Sequence, residues 1–262
     1  MVSFAGKTVC ISGGTSGINL GIARHFAKAG AQLFVFSRSQ DKVDAAVAGL
    51  QALGAEADGC AADVRRVEEV ASAIEHCATR YGEIDILVSG AAGNFVARAR
   101  DISSNGFRAV MEIDVLGTHH VMHSAYPYLR KPGACVINIS AGQAQVAMTG
   151  QAHVCAAKAG VDMLTRTLAL EWGPEGIRVN SILPGPIGDT EGMRRLAPDQ
   201  AALDAKIASV PLGRMGTTQD VADLCDFLCS DRASYITGAV IPVDGGAILN
   251  PMPTRMEAFI DD

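Results

Sequence analysis

Short apolar runs of about five to seven residues alternate with longer amphipathic stretches along almost the whole chain. A strand buried on both faces reads as an unbroken apolar run, and a half-buried helix as a 3.6-residue period, so this alternation restricts the chain to a succession of βαβ units. Strands are expected near 7–12, 32–37, 56–61, 84–90, 134–140, 177–183 and 238–243, and helices near 17–30, 40–53, 66–81, 104–130, 153–172 and 218–230. Parallel strands need crossover connections, and those are right-handed. The expected architecture is therefore one doubly wound α/β domain, residues 1–262, with helices on both faces of a seven-stranded parallel sheet. The least regular segment, 184–216, is rich in Gly, Pro and charge and follows the sixth strand, where a substrate lid is expected.

With 48% apolar and 19% charged residues in 262, the chain has material for a large core. The balance of 22 Lys+Arg against 28 Asp+Glu leaves net charge −6 and no basic run, which argues against a nucleic-acid partner. No window approaches the ~18 uninterrupted apolar residues of a membrane span, so no membrane partner is expected. The opening MVSFAGKTVCISGG has no long apolar export region, and the closing AFIDD is not an import address, so the expected location is cytoplasmic. Seven cysteines without regular spacing read as reduced, buried thiols. Cys225 and Cys229 share helical spacing with the core positions Val221, Leu224 and Leu228, behind a cap at Thr217 or Thr218. His119, His120 and His123 lack the glutamate and third ligand of a zinc motif, so no metal is expected.

The first strand, KTVCIS, runs directly into Gly13, Gly14, Thr15, Ser16, Gly17, Ile18 and Asn19, and a helix follows at once. A glycine-rich turn there lets the backbone approach a pyrophosphate, and the helix N-terminus supplies N–H groups and a positive dipole. The second strand ends in Ser37 and Arg38 instead of the carboxylate that holds an adenosine ribose 2′-hydroxyl. A hydroxyl and a guanidinium suit a 2′-phosphate, so the expected cofactor is NADPH. Asp63 and Val64 follow the third strand, where the adenine ring is expected. On the stretch after the fourth strand, Phe107, Val110, Met111 and Asp114 fall at i, i+3, i+4 and i+7, which places a carboxylate on an otherwise apolar face. Such a group is costly unless paired or hydrogen-bonded, and that makes Asp114 a functional candidate.

These residues resemble the short-chain dehydrogenase/reductase family over nearly the whole chain. The family's glycine motif matches Ser12, Gly13 and Gly17, with Asn19 in place of its third glycine. Its segment after strand four appears as Ser89, Gly90, Ala91 and Ala92, extended by Gly93, Asn94 and Phe95. Its segment after strand six appears as Pro184, Gly185, Pro186 and Ile187, and the tail of its last strand as Asp244, Gly245 and Gly246. The resemblance implies a Rossmann fold in which Ala91, Pro184, Gly185 and Ile187 join the cofactor contacts and Lys158 holds the nicotinamide ribose. It also implies a homotetramer, with helices 104–130 and 153–172 at the subunit interface.

The family's tyrosine, four residues before the lysine, is here Val154, and its serine is Ala141. Its asparagine is Asp114, and Tyr81, Tyr126, Tyr128 and Tyr235 all lie elsewhere. Ser140 and His153 each stand one position off, which on a helix turns a side chain by about 100°. The segments AAGNF (91–95), EWGPEGIRVNS (171–181), PGPIGDTEGMRRL (184–196) and ASYITGAV (233–240) resemble a branch of the family that reduces 2,4-dienoyl-CoA thioesters to 3-enoyl-CoA. That resemblance implies an acyl-CoA substrate, Asp114 as proton relay through a water, and Lys158 lending positive field to an enolate. It implies Asn94 and Phe95 on the acyl pocket, Gln143 as hydrogen-bond donor where another branch has a tyrosine, and Arg194 and Arg195 on the CoA phosphates. Two alternatives stay open: an NADPH reductase of enoyl or ketoacyl thioesters with His153 or Ser140 as donor, and a non-catalytic NADPH-binding sensor.

Overall fold

Along β1 (Thr8–Ser12), Val9 and Ile11 pack into one apolar cluster and Cys10 into another on the opposite face, all three without exposure. β2 (Gln32–Ser37) divides in the same way, Leu33 and Val35 to one side and Phe34 and Phe36 to the other. Unbroken apolar runs therefore become strands covered on both faces, and the two clusters are the two layers between sheet and helices. The computed structural model describes residues 3–190, 193 and 199–249. After β1 and β2 come β3 (Ala57–Ala61), β4 (Ile86–Ser89), β5 (Cys135–Ile139), β6 (Arg178–Pro184) and β7 (Val240–Val243). All pairs are parallel, in the order β3-β2-β1-β4-β5-β6-β7. The order reverses between β1 and β4, and a ligand cleft belongs at the carboxyl ends of the strands at such a switch point.

The helices are α1 (Gly17–Lys28), α2 (Gln40–Gln51), α3 (Val67–Tyr81), α4 (Ser104–Met111), α5 (Gly117–Ala125), α6 (Ala152–Trp172), α7 (Gln200–Ala208) and α8 (Thr218–Cys229). Two of them correct the sequence expectation. The single helix expected over 104–130 is interrupted: a π-helical turn, Glu112–Leu116, separates α4 from α5, and a 3₁₀ turn, Tyr126–Tyr128, ends it. Phe107 is 39% exposed, so the expected apolar stripe is continuous only from Val110 inward. The irregular segment 184–216 contains α7, whose N-cap Asp199 accepts from the Ala202 N–H at 2.8 Å. Its weak helical period hides it among polar residues.

α8 begins at the first of the two candidate caps. Thr217 Oγ1 accepts from the Asp220 N–H at 3.2 Å and Asp220 Oδ2 from the Thr217 N–H at 2.7 Å, a reciprocal capping box. Thr218 instead donates to Asp189 and packs against Gly21 of α1, where a Cβ would lie 2.5 Å from the threonine Cβ. All seven cysteines are free, but only Cys10, Cys77, Cys135 and Cys225 are buried; Cys60, Cys155 and Cys229 are half-buried. Among the described residues no helix is long and apolar enough to cross a membrane, and no cluster of His, Cys, Asp or Glu could hold a metal. His120 is used structurally, its Nδ1 2.8 Å from the Val64 carbonyl.

At the amino end of the sheet, Asp85 is 3% exposed and accepts from Arg130 Nε at 2.5 Å, Lys7 Nζ at 2.9 Å and the Thr8 N–H at 3.0 Å. Burial pushes its carboxyl up, but these donors outweigh burial and hold it below the ordinary value of 3.8. A lowered folded value means the stabilisation is present above the unfolded value and is lost as pH falls through the folded one. Asp85→Asn is expected to lower stability at pH 7 by roughly 1–3 kcal/mol. The difference from wild type should shrink as pH falls below about 4, as read by urea unfolding across pH.

Candidate active site

The turn after β1 works by close approach. Gly13 (φ +67°) and Gly17 (φ +53°) take left-handed conformations, and a Cβ on Gly13 would lie 3.1 Å from the Ala91 backbone. Asn19, in the first turn of α1, donates from Nδ2 to the Gly90 carbonyl at 2.8 Å and lies 3.4 Å from the Gly13 carbonyl. A buried carboxamide thus ties the turn after β1 to the turn after β4, in the place of the family's third glycine. Ser16 caps α1 without any side-chain hydrogen bond, so the N–H groups of the first turn keep no side-chain acceptor.

A cavity of about 300 Å³ opens beside this turn. Gly13, Thr15, Ser16, Ser37, Arg38, Asp63, Val64 and Ala91 line it, so most of the expected cofactor residues are brought together. Thr15 Oγ1 donates to Ser37 Oγ at 3.0 Å across its width. Lys42, in the first turn of α2, adds a second cation beside Arg38, and a lone lysine there carries no signal in the sequence. Asp63 is held by Arg65, Nε to Oδ1 at 3.0 Å, and that hydrogen bond draws its carboxyl below the ordinary range despite partial burial. The glycine cradle, the open helix terminus and the Arg38–Lys42 pair fit a dinucleotide with an extra phosphate on its adenosine ribose. Ile18 does not line the cavity and packs instead, half-buried, against the core.

Pro184, Gly185 and Ile187 follow at the carboxyl end of β6 and do not line this cavity. A Cβ on Gly185 would meet Asp244 at 2.5 Å, and the Gly185 N–H donates to the Val243 carbonyl. The chain then passes Thr190 over Gly17. Arg194 and Arg195 lie outside the described residues.

Asp114 and Lys158 meet past the inner end of the cavity. Asp114, in the π-helical turn, has no exposure; its Oδ1 accepts from the Gly93 N–H at 2.7 Å. Lys158 Nζ lies 3.1 Å from Asp114 Oδ2 and donates to the Ile139 carbonyl at 3.1 Å. The contact to Oδ2 is an ion pair without hydrogen-bond alignment, which leaves that oxygen with capacity for a donor. Asn94 and Phe95 stand exposed on the loop that carries Gly93, and Gln143 sits half-buried on the 3₁₀ turn Gly142–Ala144 after β5.

Val154 and Ala157 pack against Val110, so the family's tyrosine position is closed by an apolar contact between α6 and α4. The two alternative donors point away from that contact. Ser140 Oγ neighbours the buried carboxylate Asp162. The His153 ring, without exposure, stacks on Phe95 with centroids 4.1 Å apart. Asp162 escaped the sequence reading, although it lies one helical turn after Lys158.

A family model described as Enoyl-(Acyl carrier protein) reductase matches residues 13–247. A peroxisomal 2,4-dienoyl-CoA reductase of Arabidopsis thaliana, named for producing (3E)-enoyl-CoA, is 42% identical over 94% of this chain and 85% of that protein. A probable 2,4-dienoyl-CoA reductase of Bacillus subtilis, named for producing (2E)-enoyl-CoA, is 39% identical over 94% of this chain and 98% of that one. Among solved structures, a short-chain type dehydrogenase/reductase from Mycobacterium ulcerans superposes with TM-score 0.92 at 30% identity, covering 99% of this chain and 96% of that chain.

Asn19→Ala removes the link between the two glycine turns. Binding of a reduced nicotinamide dinucleotide, followed by fluorescence titration, is expected to weaken about tenfold, the equivalent of one hydrogen bond of ~1–1.5 kcal/mol.

Proposed function

Because the chain belongs to the short-chain dehydrogenase/reductase family, and is thus an oxidoreductase with a nicotinamide cofactor, we propose that it is an NADPH-dependent reductase of 2,4-dienoyl-CoA. The observation that carries this reading is the buried Asp114–Lys158 pair in a site whose tyrosine and serine positions are Val154 and Ala141. Carbonyl reduction needs an acid to protonate an alkoxide, and neither Val154 nor Ala141 has a proton to give. Reduction across a conjugated diene places charge on the thioester oxygen instead. Its demands are oxyanion stabilisation and a proton for carbon.

NADPH, when bound, supplies hydride to the distal carbon of the diene. Lys158 has three N–H donors. The Ile139 carbonyl takes one, and the ion pair with Asp114 is not aligned as a hydrogen bond, so donors are left for the nicotinamide ribose. The same ammonium lends positive field to the developing enolate. Gln143 donates a hydrogen bond to the enolate oxygen but holds no acidic proton. Asp114, fixed by the Gly93 N–H, orients a water that delivers the proton at the α-carbon, leaving a 3-enoyl-CoA. Proton delivery at the γ-carbon would leave the 2-enoyl isomer, so the product reports where Asp114 works.

Asn94 and Phe95 line the acyl pocket in this reading, residues 184–216 form its lid, and Arg194 and Arg195 meet the CoA phosphates. Arg38 with Lys42 takes the 2′-phosphate. The chain acts as a homotetramer through the faces of α4 to α6, supported by the exposed apolar side chains Leu116, Met163 and Leu170 on those elements. Seven free cysteines support a cytoplasmic location.

NADPH consumption is expected with a 2,4-dienoyl-CoA and not with the matching 2-enoyl- or 3-ketoacyl-CoA. In deuterated water the solvent label should enter at the α-carbon, and Asp114→Ala should lower kcat by about 10²–10⁴. Turnover of the ketoacyl compound alone, or a fully active Asp114→Ala, would sink the assignment. For cofactor choice, Arg38→Ala should raise the KM for NADPH roughly ten- to a hundredfold, the loss of a charge-assisted contact, and leave that for NADH unchanged.

A further inference from the structure

The cavity that fits the dinucleotide carries one charge of the wrong sign for it. Arg38 and Lys42 bring two cations to its wall, and among the described residues Asp63 brings the one carboxylate. Hydrogen bonding by Arg65 keeps the Asp63 carboxyl below the ordinary range, so at neutral pH it is a full negative charge. Two anions in one small cavity repel, and a carboxylate beside a guanidinium competes with a phosphate for it. Left uncompensated, Asp63 would weaken the hold of Arg38 on an adenosine 2′-phosphate and leave contacts to a plain 2′-hydroxyl unchanged.

Arg65 does not line the cavity, yet it grips Asp63. Its Nε lies 3.0 Å from both carboxylate oxygens, and Nη2 donates to Oδ2 as well, a fork on the whole carboxylate. This fork is not what shapes the turn. The Arg65 backbone N–H donates to Asp63 Oδ1 at 3.0 Å, and the Asp63 N–H donates to Glu69 Oε2 at 2.8 Å. Both donors are main-chain groups, so the bend before α3 would persist with another side chain at position 65. An exposed guanidinium paired with a residue two positions away also adds little stability. What the Arg65 side chain alone supplies is a compensating charge. We propose that Arg65 is a positioning residue for cofactor choice: its fork occupies and offsets the Asp63 carboxylate, so that Arg38 and Lys42 act on the 2′-phosphate without a competing anion. The proposal rests on the phosphate contact given to Arg38 above, but not on which thioester is reduced.

Affinities for NADPH and for NADH are read by fluorescence titration without any acyl substrate, for wild type, Arg65→Ala, Asp63→Asn and the double variant. Arg65→Ala keeps the backbone turn and uncovers the charge. It should bind NADPH about fivefold more weakly, the size of one modest electrostatic contact, and NADH within about twofold of wild type. Asp63→Asn removes the competing charge while keeping an acceptor, so it should retain the wild-type ratio of the two affinities or favour NADPH further. In the double variant no charge is left to offset, and the ratio should return to within about twofold of wild type. An unchanged ratio in Arg65→Ala overturns the proposal, as does an equal loss of both cofactors or a double variant whose ratio is as impaired as that of Arg65→Ala. Wild type without preference for NADPH, or an Arg38→Ala variant that keeps that preference, would overturn the phosphate contact at Arg38 and this proposal with it.

Discussion

A lysine ammonium enclosed between helix and sheet must find acceptors, because burying the charge alone costs several kcal/mol or more. Much of the carboxyl edge of this protein is arranged around that requirement for Lys158. The last carbonyl of β5, Ile139, takes one of its protons, and Asp114 supplies the opposite charge. The other oxygen of Asp114, buried without exposure, accepts from the Gly93 N–H at 2.7 Å. That N–H in turn belongs to a loop tied to the start of α6, with the Ala97 N–H on the Gly150 carbonyl and Gln151 Nε2 on the Phe95 carbonyl. The helix that carries the lysine and the loop that carries Asn94 and Phe95 are therefore one mechanical unit.

The cofactor end follows a second constraint, the closeness of two backbones. The turns after β1 and β4 approach so tightly that a Cβ on Gly90 would lie 2.3 Å from the Asn19 carboxamide. A glycine in place of Asn19 would leave the Gly90 carbonyl without this donor. Asn19 fills the same space with a hydrogen bond and makes the switch point between β1 and β4 rigid. The Asp114–Lys158 pair and the dinucleotide cavity then sit at fixed separation on one sheet edge, which is what hydride alignment needs.

Much of this was legible in the chain itself. The seven strands lie within two residues of the expected ranges, most sharply the central ones, which are covered on both faces and apolar at nearly every position; the edge strand β3, with Asp58 and Gly59, is only partly covered. The glycine turn, Arg38 and Asp114 were visible because each breaks a local pattern: a turn that needs positive φ, a cation where a carboxylate belongs, a charge on an apolar face. The π-helical turn at Glu112–Leu116 was not visible, since its residues have ordinary helical composition and the extra residue is wound in by tertiary packing against α6. α7 was missed because its nine residues, about two and a half turns, carry no clear apolar stripe, and Lys42 because a lone surface lysine has no pattern to break.

By itself the sequence determined the order of the elements, the parallel sheet and the residue types available at its carboxyl edge, since burial on two faces and the glycine turn are local demands. Which of those residues meet was decided only in three dimensions. Asp114 and Lys158 are far apart in the chain and come within 3.1 Å because α6 crosses the π-helical turn. Ser140 neighbours Asp162 and the His153 ring lies against Phe95, both with buried polar atoms that have no hydrogen-bond partner, while the tyrosine's own place is filled by Val154 packed on Val110. Periodicity fixes the face on which a side chain starts, and only packing between elements fixes what stands opposite it.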